Sequence, residues 1–449
     1  LSIGFSLALK LGVNKKLAGI ILLGLILRLV GINQSLWLDE TISAMVVKNY
    51  SYVEILKIFS PVDFHPPGYY WMLKTAGVLF GESEMGLRWP SVVFGIVTVY
   101  VVYLIGKKIR DEKLGLEAAL LTATNPLLVY YSQEARMYAL NTMWLTAAWY
   151  FLIRKKYFWF NLFCLLAMTT FYGSIFFIAG MIIWQSRNIK EVLKRSAGII
   201  LAGIFFGGLV WRQWQYAKTG LVEVANWSLV LGKANLKNFL LIPMKFFVGR
   251  ISFYPKIIYW TVAGMWTAMA SFGFFRGIKK QKDLLVLVGV PIVIGAMVSI
   301  GSPMMAYFRY LYLIPVIMVA IALGGGKKLA GGFLIFSLMY GCGSNFHRED
   351  WKSLVKSLNN NERVYIIASV ADPIRYYNKD LKFGDLKTEK IEGKVVTVIP
   401  YAAEIHGLDY RKKLTESGYE IAEEKNFREI GWQKWRKVQA VGGGGGVSK

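Results

Sequence analysis

Apolar residues run along this chain in long unbroken blocks separated by short polar loops, a pattern that predicts helices crossing a membrane. The first block, Leu17 to Ile32, contains one charged side chain, Arg28. Later blocks cover 87–106, 115–131, 138–153, 157–172, 174–186, 197–211, 257–275, 284–300, 308–323 and 329–342. A helix needs about 20 mostly apolar residues to cross a bilayer core, so the blocks predict about eleven spans, with 157–186 short for two.

Three regions break the pattern. Loop 37–86 is too long for a simple connection. Asp39 and Glu40 follow the first span, and an amphipathic stretch with Ile42, Met45 and Val46 on one side runs to Asn49. Ser51 and Glu54 have capping-box spacing, which predicts a second short helix over 52–59, stopped by Pro61. Helices of this kind lie along a membrane surface. In Phe64-His65-Pro66-Pro67 the prolines predict an extended turn, and the aromatics that follow suit the interface. The second region, 212–256, follows Trp211 and carries Trp214, Tyr216, Trp227 and Tyr254 among basic residues; it reads as a second large loop on the same side, either a surface-lying cover or a loop that grips a lipid head group. The third, 343–440, predicts a small soluble α/β domain: helices over 350–358, 373–378 and 410–417, strands over 363–368, 394–399 and 432–438. The expected division is a transmembrane domain, 1–342, followed by this domain. Residues 441–449, five glycines with Val-Ser-Lys, read as an added tail and are set aside.

Composition agrees with membrane embedding: 449 residues, 55% hydrophobic and 15% aromatic, with a mean hydropathy of +0.41. The net charge of +25 resembles a nucleic-acid binder's, but its placement argues against that partner. Lys and Arg gather in alternate loops: Lys15/Lys16, Lys107 to Lys113, Arg154 to Lys156, Lys190 to Arg195, Arg276 to Lys282 and Lys327/Lys328. The positive-inside rule puts those loops in the cytoplasm. It puts 37–86, 132–137, 212–256, 301–307 and the C-terminal domain outside a multi-pass cytoplasmic membrane protein. The first span is expected to serve as its own insertion signal. Cys164 and Cys342 have no metal spacing and read as unpaired packing residues.

Charges on the outer side are the candidates for chemistry. Two carboxylates at a membrane face, Asp39 and Glu40, are costly unless used. They could supply a general base, or they could favour a helix start through its dipole and free N–H groups. Glu134 and Arg136 form a polar knot between two spans, either an ion pair closing a turn or part of the cavity of Asp39. Arg309 opens a late span, where a phosphate contact competes with snorkelling. Arg88 is expected to snorkel or to support the structure. His65, one of three histidines, is a hydrogen-bonded turn residue or a site residue. No cluster has metal-ligand spacing, so a divalent metal stays possible and undemonstrated.

Leu36-Trp37-Leu38-Asp39-Glu40, His65-Pro66-Pro67 and Leu87-Arg88-Trp89-Pro90-Ser91 resemble, in order and spacing, the protein O-mannosyltransferase and aminoarabinose-transferase superfamily. Tyr131-Ser132-Gln133-Glu134-Ala135-Arg136-Met137-Tyr138 is similar to its second outer-loop motif, Arg309-Tyr310-Leu311-Tyr312-Leu313 to a late span-opening motif, and Asp350-Trp351 to the start of its outer domain. The likeness covers the first 140 residues well and scattered points thereafter. It implies a C-type glycosyltransferase fold, with surface helices in the first loop, and inverting transfer from a polyprenyl-phosphate sugar. It implies Asp39 as the catalytic base and Glu134 as the second acid. His65, Arg136, Arg309 and Tyr310 fall at the donor phosphate, with Glu40 and Arg88 supporting. The implied partners are the lipid-linked donor, membrane lipid and a lipid, glycan or protein acceptor. Some relatives carry a basic residue where this chain has His65, and well-studied members have more spans.

Two other functions fit the spans. A flippase for lipid-linked sugars would place ionisable residues near mid-bilayer, where only Arg28 qualifies in the first four spans. A non-catalytic envelope subunit would use the outer domain for binding and would tolerate loss of Asp39.

Overall fold

The computed structural model describes residues 14–223, 226 and 232–438, without the side chains of 218–223. The chain divides into two compact units. One comprises Leu1–Gln34, Val46–Gly220 and Ser228–His347; the other comprises Ser35–Met45, Leu221–Trp227 and Arg348–Lys449.

The first unit is helical. Asn14 caps the helix Lys15–Leu29, accepting from Lys16 N, and Arg28 near its end is fully buried. The Arg28 guanidinium donates to Gly24 O, Ala123 O and Ser132 Oγ at 2.9–3.1 Å, so its charge is spent on holding three elements together. Gly95 on the helix Glu84–Ile109 permits this, because a Cβ there would meet Ser132 Oγ and Arg28 Nε. Arg88 is also buried rather than snorkelling. Its Nη1 donates to Ile32 O and Gln34 O at 2.7 and 2.6 Å, tying down the chain after the first helix.

Three described helices are long and apolar enough to cross a membrane: Glu84–Ile109, Ile189–Ala217 and Lys256–Lys280. Five shorter apolar segments accompany them: Tyr157–Thr170, Ser174–Gln185, Leu284–Val298, Tyr307–Leu323 and Leu329–Cys342. Ile204, Phe205, Met265 and Phe272 on the long helices are at least 65% exposed, the surface expected where lipid replaces protein.

Several expectations need correction. The block 115–131 is two helices, Glu112–Thr124 and Pro126–Tyr131. Asn125 breaks it by capping the second helix while its Nδ2 donates to Phe246 O at 2.8 Å. The Ser51–Glu54 capping box is present, but Pro61 does not stop the helix. A π turn, Ile55–Phe59, leads into Ser60–Asp63, with Pro61 in the first turn of that last segment. Phe64, at φ 61°, ends it. Residues 64–67 lie between helices, at the turn read from the prolines, and a helix not read in the sequence, Gly68–Phe80, begins directly after them. Its Gly68 packs where a Cβ would meet Thr169 O. Residues 212–256 are largely helical, in Ile189–Glu223 and Leu236–Val248; Trp227 lies outside the described residues. Cys164 is buried packing, as expected, whereas Cys342 is exposed; both are free.

The second unit holds a five-stranded sheet in the order β2-β1-β3-β5-β4, with β1 Val364–Ile366, β2 Phe383–Asp385, β3 Val395–Val398, β4 Tyr419–Phe427 and β5 Ile430–Lys437. β1 pairs in parallel with β2 and β3; β5 pairs antiparallel with β3 and β4. β1 is buried throughout, as a central parallel strand is. Three short helices, Trp351–Lys356, Asp372–Tyr377 and Tyr410–Glu416, complete the unit. β2 and β4 were missed in the sequence. β2 is three residues long, and β4, an exposed edge rich in Glu and Lys, has no apolar alternation.

Candidate functional site

In the second unit, Asp39 lies in the first turn of the helix Leu38–Asn49. Glu40 is fully buried, and the Trp37 N–H donates to its Oε2 at 3.4 Å, the reach-back half of a capping box. Asp39 is half-buried, and its carbonyl accepts from Ser43 Oγ. The approach to this helix is pinned within the unit. Leu36 N donates to Tyr377 Oη at 2.8 Å, Lys352 N donates to Ser35 Oγ at 3.1 Å, and the Arg348 guanidinium sits 3.6 Å over the Trp37 ring.

Around Asp39 lie residues that the sequence reading passed over. Tyr401 is within electrostatic reach of Asp39 and donates its hydroxyl to Glu349 Oε1 at 3.0 Å. Burial, followed by the Glu349 and Asp39 carboxylates, raises the Tyr401 phenol far above its usual range. Arg348 and Glu349 directly precede the Asp350-Trp351 motif, and that adjacency was the available signal.

In the first unit, residues 132–137 form a buried turn between the helices Pro126–Tyr131 and Tyr138–Ile153. Gln133 Nε2 donates to Leu27 O and Val30 O, and Ser91 Oγ to Glu134 O at 2.7 Å, so the turn is fixed by the end of the first helix and by the helix Glu84–Ile109. Glu134 and Arg136 are 2% and 5% exposed. Arg136 lies within electrostatic reach of Tyr70, whose hydroxyl donates to Asp63 Oδ2 at 2.7 Å. Burial, followed by Asp63, holds the Tyr70 phenol well above its usual range. Asp63 also pairs with His65 Nδ1 at 3.0 Å, and Gln213 Nε2 donates to the His65 carbonyl. His65 and Arg136 are thereby linked through Asp63 and Tyr70, neither of which was singled out in the sequence.

Glu134 reaches Arg309 through tyrosines. Tyr131 is in electrostatic range of Glu134, its ring meets that of Tyr138 at 5.0 Å, and Tyr138 is in electrostatic range of Arg309. Arg309, on the 3-10 segment Tyr307–Leu313, donates to Met304 Sδ. Tyr310 is 1% exposed, and its hydroxyl is turned to Met305 Sδ. A further cationic group was also missed. Lys245 on Leu236–Val248 is half-buried, and desolvation, followed by the charges of Arg250 and Lys256, pulls its ammonium down to about 8. Arg250 Nη1 donates to Tyr130 Oη at 3.0 Å. Among the described residues no group of three or more His, Cys, Asp or Glu side chains could hold a metal ion.

Residues 64–211 match the family of dolichyl-phosphate-mannose-protein mannosyltransferases. The undecaprenyl phosphate-alpha-4-amino-4-deoxy-L-arabinose arabinosyl transferase of Pseudomonas paraeruginosa is 34% identical over 90 residues, covering 19% of this chain and 16% of that protein. The match thus spans about a sixth of that relative's length. Among solved structures, the oligosaccharyltransferase AglB from Archaeoglobus fulgidus, in complex with an inhibitory peptide and a dolichol-phosphate, superposes with a TM-score of 0.54 at 11% identity. That superposition covers 92% of this chain and 72% of AglB. ArnT from Cupriavidus metallidurans, bound to undecaprenyl phosphate, aligns over 93% of this chain and 97% of its own at 11% identity, with a TM-score of 0.43. The fold is that of a C-type glycosyltransferase. Over these stretches the chain is similar to the mannosyltransferase and aminoarabinose-transferase-like superfamily of membrane glycosyltransferases, the same resemblance that its motifs carry.

Proposed function

We propose that the chain is an inverting glycosyltransferase of the outer face of the cytoplasmic membrane. It moves a monosaccharide from a polyprenyl phosphate to a hydroxyl of an envelope lipid, glycan or protein. In this reading residues 1–342 embed the enzyme and receive the lipid-linked donor, and 343–440 form an extracytoplasmic domain. Asp39 takes the proton of the acceptor hydroxyl as its oxygen forms the new bond to the anomeric carbon. The bond from that carbon to the phosphate oxygen breaks on the opposite face. Phosphate is a good leaving group, so the donor side needs positive charge rather than a general acid. Arg136 and Arg309 are assigned to it, since guanidinium stays charged and matches phosphate oxygens in pairs. Glu134 is assigned to orient the acceptor or Arg136, and Glu40 and Arg88 to hold the framework. His65 and Tyr310 keep a secondary place at the phosphate, because the ring of one is engaged with Asp63 and the hydroxyl of the other with Met305.

The observation that carries the reading is the division of labour in Asp39-Glu40. One carboxylate is buried in the helix start, while its neighbour stays partly open beside Tyr401. The flippase reading has no matching support, as Arg28 is committed to backbone carbonyls and Ser132. The test is transfer of labelled sugar by the purified chain from a panel of polyprenyl-phosphate monosaccharides, with Asp39→Asn as the control. Sugar release or transfer that disappears in Asp39→Asn supports the reading. Turnover unaffected by Asp39→Asn sinks the assignment, and lipid-linked sugar moved across vesicles without hydrolysis or transfer points to the flippase.

A further inference from the structure

Within the first unit a groove of about 1020 Å³ lies where the helices Lys15–Leu29, Glu112–Thr124 and Leu329–Cys342 all begin. Its wall is apolar, formed by Ile20 and Leu23 of one helix and Leu116 and Leu120 of another. Its rim carries four exposed lysines, Lys16, Lys113, Lys327 and Lys328, against two carboxylates. Both carboxylates are engaged. Glu112 Oε1 accepts from Asn14 Nδ2 at 2.7 Å and from Tyr103 Oη at 3.0 Å, and Glu117 faces Lys327 at 3.9 Å. Lys16, Lys113 and Lys328 have no carboxylate within ion-pair distance among the described residues. Three helix N-termini add partial positive charge at the same place.

An apolar wall rising from a cationic rim, at the level of the lysine-rich loops, matches a molecule with an anionic head and an alkyl tail. We propose that this groove binds an anionic glycerophospholipid of the leaflet on that side. Its phosphate meets Lys113, Lys328 and Lys16, and an acyl chain lies along Ile20, Leu23, Leu116 and Leu120. A zwitterionic lipid would bring its own cation against the lysines. The site is built from residues that take no part in the transfer chemistry, so it stands or falls separately from the proposed function.

The experiment uses the full chain in nanodiscs of phosphatidylcholine doped with a tail-photoreactive phosphatidylglycerol, with labelled peptides mapped by mass spectrometry. Labelling is expected in 17–23 and 114–121, competed by unlabelled phosphatidylglycerol but not by added phosphatidylcholine. The double variant Lys113→Gln/Lys328→Gln should reduce it by about tenfold or more, since each lysine near a membrane surface contributes about fivefold to anionic-lipid binding. Exposed lysines are replaced, so the fold should survive, and unchanged labelling on the helix 256–280 controls for that. Equal competition by phosphatidylcholine, unchanged labelling in the double variant, or cross-links from the groove to residues 1–13 in place of lipid would overturn the proposal.

Discussion

The Tyr401 hydroxyl donates to Glu349 Oε1 at 3.0 Å, while Oε2 of the same carboxylate is buried without a hydrogen-bond partner among the described residues. A buried oxygen left unmatched in the free protein costs stability and is often kept because something uses it. Asp39 lies within electrostatic reach of the same tyrosine, so we assign Glu349 and Tyr401 to position the acceptor side of the reaction. Glu349→Gln should lower kcat by roughly tenfold, about 1.4 kcal/mol of barrier, with little change in donor binding. Melting temperature should hold or rise, because neutralising a buried carboxylate removes a desolvation cost. An unaltered kcat would leave Glu349 a structural residue.

Lys245 gives a pH-dependent expectation. Its folded-state value of about 8 lies below the usual lysine range because of burial, then Arg250 and Lys256. Between about 8 and 10.4 the unfolded chain holds the extra proton, so this group makes stability rise with pH across that window and adds no slope below it. A bound phosphate group would favour the charged lysine. Phosphate monoesters are already doubly ionised above about pH 7, so binding of a polyprenyl phosphate should weaken as pH climbs from 7.5 to 9. Lys245→Arg should flatten that profile, since arginine stays charged. A profile identical in Lys245→Arg would remove this lysine from donor binding.

Arg309 and Arg136 are separable from Lys245 by geometry of charge. Arg309→Lys keeps the cation but loses the planar pair of donors, so it should raise the donor KM severalfold while the protein still folds. Normal donor use by both Arg309→Ala and Arg136→Ala, measured in detergent, would shift the phosphate to the 236–256 segment.

Much of this fold was legible because apolar blocks and loop charge dictate helices in lipid. Starts and stops of the helices 138–153 and 329–342 were readable almost to the residue. The break at Asn125 was overlooked although Asn before Pro126 is a local helix-start signal, because the apolar block runs through it without interruption. Helix 68–80 was hidden by two prolines that in fact precede it, the second at its N-cap. Arg88 illustrates the same limit at the level of role: a cation at a span end reads as snorkelling, and only its backbone partners at 32 and 34 reveal a tether. Tyr401 carries no local signal, since it meets Glu349 only when the C-terminal domain has folded, and the one hint for Glu349 is its place just before Asp350-Trp351.

Topology is testable in cells. The lysine-rich alternate loops lead us to place 343–440 outside. Alkaline phosphatase fused to the C-terminus should then be active, and green fluorescent protein fused there should be dark. The opposite pair of results would put that domain in the cytoplasm and remove the extracytoplasmic catalytic scheme.

The sharpest prediction separates two adjacent carboxylates. Glu40 is fully buried and accepts the Trp37 N–H, so it serves the start of the helix Leu38–Asn49. Glu40→Gln keeps an acceptor oxygen there while removing the charge near the helix N-terminus, and loss of that charge at the helix start costs about 0.3–1 kcal/mol in stability with modest loss of rate. Asp39 is half-buried and sits beside Tyr401. Asp39→Asn keeps size and hydrogen-bonding shape but cannot take a proton. Loss of a general base costs on the order of 10²–10⁴ in rate, so sugar transfer should fall close to background. Donor binding should persist, because the phosphate contacts are assigned to arginines. Both variants should be purified folded, as shown by unchanged thermal unfolding, before transfer from a polyprenyl-phosphate donor is measured. Near-normal transfer by Asp39→Asn, together with its loss in Glu40→Gln or Glu134→Gln, would move the base to that residue. If none of the three changes the rate, the chain does not catalyse the reaction by a carboxylate base at all.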